Sequence, residues 1–340
     1  MKKPLISTII PLYNNNNLLI RCLDSIYNQG LEETDFEIII INDGSTDYIP
    51  GDGVADKYAL LHKNIRVINQ KNHGLSATRN NALDLAEGMY VHFVDPDDFM
   101  CANGYIYLID KIIMSHKPEI VVFSSTTLDY KMSKLDINSF NNFERAKITF
   151  SGTGIEYANN HYYNTFTWNV LYLNHFLSQN SFRFIHRLAH EDREFNYRVF
   201  IKAKSIVVTD ANIYRYTVNP NGLTQSISKK KLDEYFIAIE IIEHTIYNNY
   251  GELAPEFVEH ERHKNTFKFI TRLLSSRITP EEINYHLFKC KDKGYFPLEV
   301  KTWKDYIVNI LVRNHYLFKF SGFFYRCLFL TIIKPRISRN

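Results

Sequence analysis

The stretch "VHFVDPDDF" places Asp95, Asp97 and Asp98 together at the end of an apolar run. Like charges so close oppose folding unless something positive joins them. On an extended backbone Asp95 and Asp97 point to one side. Two carboxylates on one side suit a hard divalent cation, which takes oxygen ligands and is commonly held by one or two carboxylates plus substrate phosphates. The alternative is a solvated turn, because Asp and Pro are turn residues. In "INDGSTD", Asp43 either closes an Asx turn or accepts hydrogen bonds from a base or ribose, while Ser45 and Thr46 are expected to cap the next segment. "NHGLSATRNNAL" offers Gly74 for a tight turn, Ser76 as helix N-cap and Arg79 in the first helical turn, within reach of a nucleotide, a diphosphate or a surface acid. "LAHEDREFNYRVF" sets Glu191 beside Asp192. On a helix these point about 100° apart, so only one of them faces a given ligand. Acids at a helix start also complement the macrodipole without any further role.

These residues need a scaffold that brings strand ends together. Apolar, β-branched segments run over Leu5–Leu12, Phe36–Ile41, Ile65–Ile68, Met89–Val94 and Ile120–Phe123. Between them lie stretches of helical period such as "LLIRCLDSIYNQ" and "LSATRNNALDLAEG", the latter expected to close on Gly88 as a C-cap. Strands without alternation, separated by helices, predict an α/β fold with a mostly parallel sheet covered on both faces. Ligands in such sheets bind at the carboxyl ends of the strands, so Tyr13, Asp43 and the aspartate cluster are expected to line one crevice. The span from Leu128 to Asn180 has no firm pattern. From about Ser228 onward the pattern is helical, with Leu232, Tyr235, Phe236, Ile239, Ile242 and Ile246 on one face, then a set through Phe267, Ile270, Leu273 and Leu274, then Trp303, Tyr306, Ile307 and Ile310. A boundary is expected near residue 227.

With 340 residues, 45% of them hydrophobic, the chain is long enough for one large domain and a smaller one. A formal charge of +3 from 40 basic and 37 acidic residues argues against nucleic-acid binding by bulk electrostatics. Cys22, Cys101, Cys290 and Cys327 show neither zinc-ligand nor disulfide spacing, which fits a reducing cytosol. The opening "MKKPLISTIIPLY" is interrupted by Pro11 and has no cleavage site, so it reads as a buried strand and predicts a cytoplasmic protein.

Taken in order, "TIIPLYNNNNLLIRCLDSIYNQ", "FEIIIINDGSTD", "NQKNHGLSATRNNALDLAEGMYVHFVDPDDF" and "HEDREF" resemble the family 2 glycosyltransferases of bacterial polysaccharide synthesis, over residues 5 to about 225. The resemblance implies a GT-A fold and a metal-assisted, inverting transfer from a nucleotide-sugar, most simply a UDP-sugar, to a glycan or lipid-linked acceptor. By matching motif, Pro11, Tyr13 and Asp43 would hold base and ribose with Arg79 nearby. Asp97 would be the principal ligand of Mn²⁺ or Mg²⁺, Asp95 would share it and lie closer to the ribose, and Asp98 would be the third acid of the donor site. Asp192 would be the base for the acceptor hydroxyl, with Glu191 orienting it or contacting acceptor. Trp168 would lie beside the sugar and Arg215 would neutralise diphosphate. The chain departs from the family pattern at Pro96 inside the D-x-D, at Asn17, and in "TVNPNGLTQ", which replaces a more basic loop.

The expected organisation is therefore a GT-A domain over 1–227, with a nucleotide half about 1–98 and an acceptor half about 99–227, followed by a helical region over 228–340. The loops 128–180 and 183–190 are expected to choose the acceptor. After Asp305 no acid occurs, while Arg313, Lys319, Arg326, Lys334, Arg336 and Arg339 flank and interrupt "YLFKFSGFFYRCLFLTII". That composition suits a helix lying in the interface of an anionic membrane, and predicts peripheral attachment at the inner face through residues 313–340. A nucleotidyltransferase is a rival, but it would be expected to carry a Gly-rich, basic loop after the first strand, and "PLYNNNN" has neither Gly nor Lys. A non-catalytic membrane-bound scaffold is a second, one that need not retain both Asp97 and Asp192.

Overall fold

The computed structural model describes residues 3–129, 143, 145–160, 166–218, 229–276 and 278–313. The chain divides into two compact units, Met1–Gly222 and Leu223–Asn340. The expected boundary near 227 and most of the "TVNPNGLTQ" loop lie outside the described residues, as do much of the expected acceptor loop 128–180 and the tail from residue 314.

The first unit is built on a nine-stranded sheet. Its strands are β1 (Ile6–Leu12), β2 (Phe36–Asn42), β3 (Ile65–Asn69), β4 (Tyr90–Phe93), β5 (Phe99–Met100), β6 (Ile120–Asp129), β7 (Ile148–Gly152), β8 (Val170–Leu173) and β9 (Ile206–Val218). Every residue of β1 and β2 is buried, which is why "ISTIIPL" and "FEIIIIN" show no polar alternation. Strand order is β3-β2-β1-β4-β8-β6-β9-β5, with β7 paired to β9. The β3-β2-β1-β4 half is parallel throughout, as expected. Beyond β4 the sheet is mixed, because β8 inserts antiparallel to both β4 and β6. Strand β6 therefore does not continue the parallel run from β4, and instead runs parallel to β9.

Helices α1 (Leu19–Tyr27), α2 (Val54–Leu61) and α3 (Leu75–Leu83) connect the parallel strands. After β5, α4 (Gly104–Leu108) continues through a π-helical turn at Ile109–Ile113 into α5 (Met114–His116), and α6 (Gly154–Asn160), α7 (Asn174–Gln179) and α8 (Glu191–Lys202) complete the unit. Two expected caps are corrected. Helix α3 begins directly after Gly74, whose φ of 88° only glycine adopts readily, so Ser76 lies inside the helix. The same helix ends at Leu83, well before Gly88. Gly88 is instead a point of close approach: its N–H donates to Ser7 Oγ at 2.8 Å, and a Cβ there would lie 2.5 Å from the Ser7 nitrogen.

In the second unit, α9 (Lys229–Tyr250), α10 (Pro255–Ser275), α11 (Pro280–Asp292) and α12 (Trp303–Arg313) pack around a core that includes Leu232, Phe236, Ile239, Phe269, Leu273 and Val308. The face expected for α9 is buried. Of that expected for α12, Ile307 packs against the core, whereas Trp303, Tyr306 and Ile310 are exposed and Val308 turns inward. Among the described residues no helix is long and apolar enough to cross a membrane.

Candidate active site

The aspartates form neither an extended strand end nor a merely solvated loop. Asp95-Pro96-Asp97-Asp98 is a β-turn closed by the Asp98 N–H donating to the Asp95 carbonyl at 3.1 Å. Pro96 occupies the second position, where its fixed φ favours such a turn, so the departure at Pro96 is compatible with the motif's geometry. Asp98 is fully buried. It accepts from the Tyr214 hydroxyl at 2.8 Å and from the Thr217 N–H at 2.7 Å, which ties the turn to β9. Burial, and then the charges of Asp95 and Asp97, push its carboxyl well above the ordinary range. The Tyr214 hydroxyl also accepts from the Asp95 N–H at 3.1 Å. On the other flank Arg21 donates to the Asp97 carbonyl at 2.6 Å and to Thr217 Oγ1 at 3.0 Å, with its guanidinium 4.6 Å from the centre of the Phe99 ring. Sequence reasoning missed Arg21, Tyr214 and Thr217. Only Arg21 left a signal, as a cation in the first turn of α1, where the helix dipole disfavours it.

Asp95 and Asp97 are the two partly exposed members of the turn. Among the described residues no group of three or more His, Cys, Asp and Glu is arranged to hold a metal. Two partly exposed carboxylates are a donor set that fits a Mg²⁺ or Mn²⁺ ion whose shell substrate phosphate completes.

Arg79 joins this turn to the second acidic pair. Only 3% exposed, it donates to Glu191 Oε1 at 2.7 Å and approaches Asp95 Oδ1 at 3.3 Å. Its partners are therefore acids of the site and not a surface acid. Burial works against the Arg79 charge, and Glu191 and Asp95 more than restore it. Glu191 and Asp192 open α8 after His190, which adopts a left-handed φ of 58°. With Glu191 taken by Arg79, its neighbour must point elsewhere. Asp192 accepts the Arg193 N–H at 2.9 Å. Burial and then the Glu191 charge push the Asp192 carboxyl up to about 7, against the opposing effects of Arg79 and Arg193.

The strand ends β1 and β2 meet beside Asp43, as expected from a parallel pair. Ile9 and Leu12 carbonyls accept from Val94 and Asp43 respectively, so alternation points the missing N–H of Pro11 past the last β1–β4 pair, where it costs no ladder bond. Tyr13 is 43% exposed just beyond. Asp43 is buried and accepts from Gln70 Nε2 at 2.7 Å and from the His73 and Gly74 N–H groups at 2.8 and 2.9 Å. It thereby shapes the loop before α3 and keeps one lone-pair direction of four. Ser45 and Thr46 do not cap a helix. The Asn14 N–H donates to Ser45 Oγ, and Asn14 Oδ1 accepts the Thr46 N–H at 2.8 Å, so the "NNNN" run stitches the two strand ends together.

Trp168 is 7% exposed and stacks on Phe166, Tyr214 and Tyr216 with centroids 4.9, 4.7 and 5.5 Å apart. Its carbonyl is held by the buried His92 Nε2 at 2.7 Å. Tyr214 thus links Trp168 to the aspartate turn. Arg215 is corrected. Successive β9 side chains alternate, so Arg215 points away from the face carrying Tyr214. Its guanidinium donates to the Asn212 carbonyl at 3.1 Å and to Asn212 Oδ1 at 2.6 Å, at the irregularity in the β6–β9 pairing.

The glycosyl transferase family 2 pattern matches residues 7–193, more than half of the chain. Glycosyltransferase EpsJ of Bacillus subtilis (strain 168) is 30% identical over 254 residues, covering 73% of this chain and 71% of that protein. Poly(ribitol-phosphate) beta-glucosyltransferase of Bacillus spizizenii is 28% identical over 242 residues, covering 70% of this chain and 36% of that longer protein. In structure the chain is similar to S. aureus TarS residues 1–349 in complex with UDP, with a TM-score of 0.60, 19% identity, and coverage of 92% of this chain and 90% of that one. The fold is GT-A, and the chain belongs to glycosyl transferase family 2 and is a glycosyltransferase.

Proposed function

We propose that the chain transfers a sugar from a UDP-sugar to a glycan or lipid-linked acceptor in surface-polysaccharide synthesis, with inversion at the anomeric carbon. One observation carries this reading: Arg79 bridges Asp95 and Glu191. It joins the aspartate turn and the acidic pair through one guanidinium, which supports reading them as neighbouring parts of one donor-and-base site.

In this reading Tyr13, Pro11 and Asp43 receive the base and ribose at the β1 and β2 ends. Asp97 and Asp95 would hold Mn²⁺ or Mg²⁺, which when bound would supply positive charge to offset the negative charge developing on the departing nucleotide. Asp192 takes the proton of the acceptor hydroxyl as its oxygen bonds to the anomeric carbon, and the bond to the diphosphate breaks on the opposite face. One displacement inverts the centre and needs no covalent enzyme intermediate. A carboxyl pushed up to about 7 is well matched to this task near neutral pH. Asp98, Tyr214 and Arg21 hold the turn. The acid-free basic sequence after Asp305 and the exposed Trp303 and Tyr306 support attachment to an anionic membrane at its cytoplasmic face.

The test is calorimetric titration of the protein with UDP and other nucleoside diphosphates, with and without Mn²⁺, on the wild type and on Asp97→Ala and Asp192→Asn. Metal-dependent UDP binding that is lost in Asp97→Ala and kept in Asp192→Asn, with sugar transfer lost in both, is the expected result. Release of pyrophosphate instead of UDP during turnover would favour the nucleotidyltransferase. Absence of nucleotide binding under every condition would favour the scaffold.

A further inference from the structure

The row of rings that begins at the aspartate turn ends at the surface. Tyr214 touches Asp98 through its hydroxyl, Trp168 stacks on Tyr214, and Phe166 stacks on Trp168 with ring planes 18° apart. Trp168 is buried, whereas Phe166 is 45% exposed. The Phe166 ring is therefore packed on the side of Trp168 and keeps much of its remaining surface exposed. Its backbone is fixed as well: the Phe166 carbonyl accepts from Asn196 Nδ2 at 3.1 Å, and Asn196 Oδ1 accepts the Tyr172 hydroxyl at 2.6 Å. Asn196 is buried and follows Asp192 by four residues, which puts both on one side of α8. A single exposed aromatic is ordinary. This one is locked in plane by a tryptophan and anchored to the helix that opens with Asp192.

We propose that Phe166 is the platform for the acceptor sugar, an inference that rests on the reading of Asp192 as the base. The chemistry it recognises is a pyranoside with an unhindered face of C–H groups. The π-face of an aromatic ring is electronegative and attracts polarised C–H, while the sugar's hydroxyl edge stays free for polar partners. A ring already held in place loses little side-chain entropy on binding, so the contact serves affinity and orientation together. Phe166 thereby fixes which hydroxyl of the acceptor reaches Asp192, and its role is that of an acceptor-binding residue without part in the proton transfer.

Saturation-transfer NMR on the full chain with UDP and Mn²⁺ bound tests this, with a panel of methyl pyranosides in the common ring configurations as probes. Wild type is expected to saturate the C–H protons of one face of at least one pyranoside. Phe166→Ala should weaken that pyranoside by about tenfold, the equivalent of one modest contact, and Phe166→Tyr should restore it, while UDP affinity stays unchanged in both. Equal pyranoside binding in wild type and Phe166→Ala would overturn the proposal, as would the absence of saturation from every probe. Loss of UDP affinity in Phe166→Ala would also overturn it, by showing that the ring only supports Trp168. Failure of the broader reading is seen separately, in sugar transfer retained by Asp192→Asn.

Discussion

At the scale of single residues, the charge on Asp192 is set first by burial and then by neighbours of opposite sign. Glu191 disfavours its ionised form and Arg79 favours it. A base works only when deprotonated, so the transfer rate at saturating donor should rise with pH and level off above about 7. Glu191→Gln removes the like charge and should move that rising limb to lower pH. Arg79→Met removes the opposing one and should move it to higher pH, with a stability loss of roughly 3–5 kcal/mol because two carboxylates lose their buried cation. Initial rates across pH for the three proteins check both directions, and movement of both limbs the same way would contradict the assignment. The motif letters announced Asp95, Asp97, Glu191 and Asp192, since each pairing has a chemical meaning at short range. They did not announce the bridge, because Arg79 and Glu191 are brought together only by the tertiary fold.

At the scale of elements, what could be read from sequence ended where local pattern stopped deciding register. Strands β1 to β4 are segments rich in apolar, β-branched residues separated by helices, and β1, β2 and β4, buried throughout, leave the trace expected of parallel strands. Strand β8 lies in the span 128–180 that shows no firm pattern, and its insertion between β4 and β6 is a property of topology. The same blindness misplaced Arg215, whose side depends on the register of β9 through an irregularity that no residue type announces. Gly88 was misread for a related reason: a glycine after a helical stretch suggests a cap, whereas here the neighbouring strand approaches too closely for a side chain. Gly88→Ala would drive a Cβ to 2.5 Å from the Ser7 nitrogen and 2.6 Å from Ser7 Oγ, the acceptor of the Gly88 N–H. Such overpacking costs about 1–3 kcal/mol. Urea unfolding should show it as a lower midpoint, with UDP affinity intact in the folded protein, and an unchanged midpoint would refute the close-approach account.

At the scale of the whole molecule, the partly buried Asp192 carboxyl ties activity to stability. Folding raises its pKa from the ordinary carboxylate range to about 7, so between those limits the native state holds a proton that the unfolded chain gives up. Its contribution to stability is greatest in acid and declines as pH rises through that window. Asp192→Asn keeps the shape and removes the ionisation. It should therefore melt higher than wild type at pH 8, by several degrees, since about 1 kcal/mol shifts the midpoint of a domain this size by about 2–4 °C. At pH 4 the two midpoints should converge, and scanning calorimetry at both pH values decides it. The inactive protein would then be the sturdier one. In a cell, quality control removes whichever chains open most often, so the working transferase would turn over faster than its disabled variant, and a screen that selects on abundance alone would favour loss of the base.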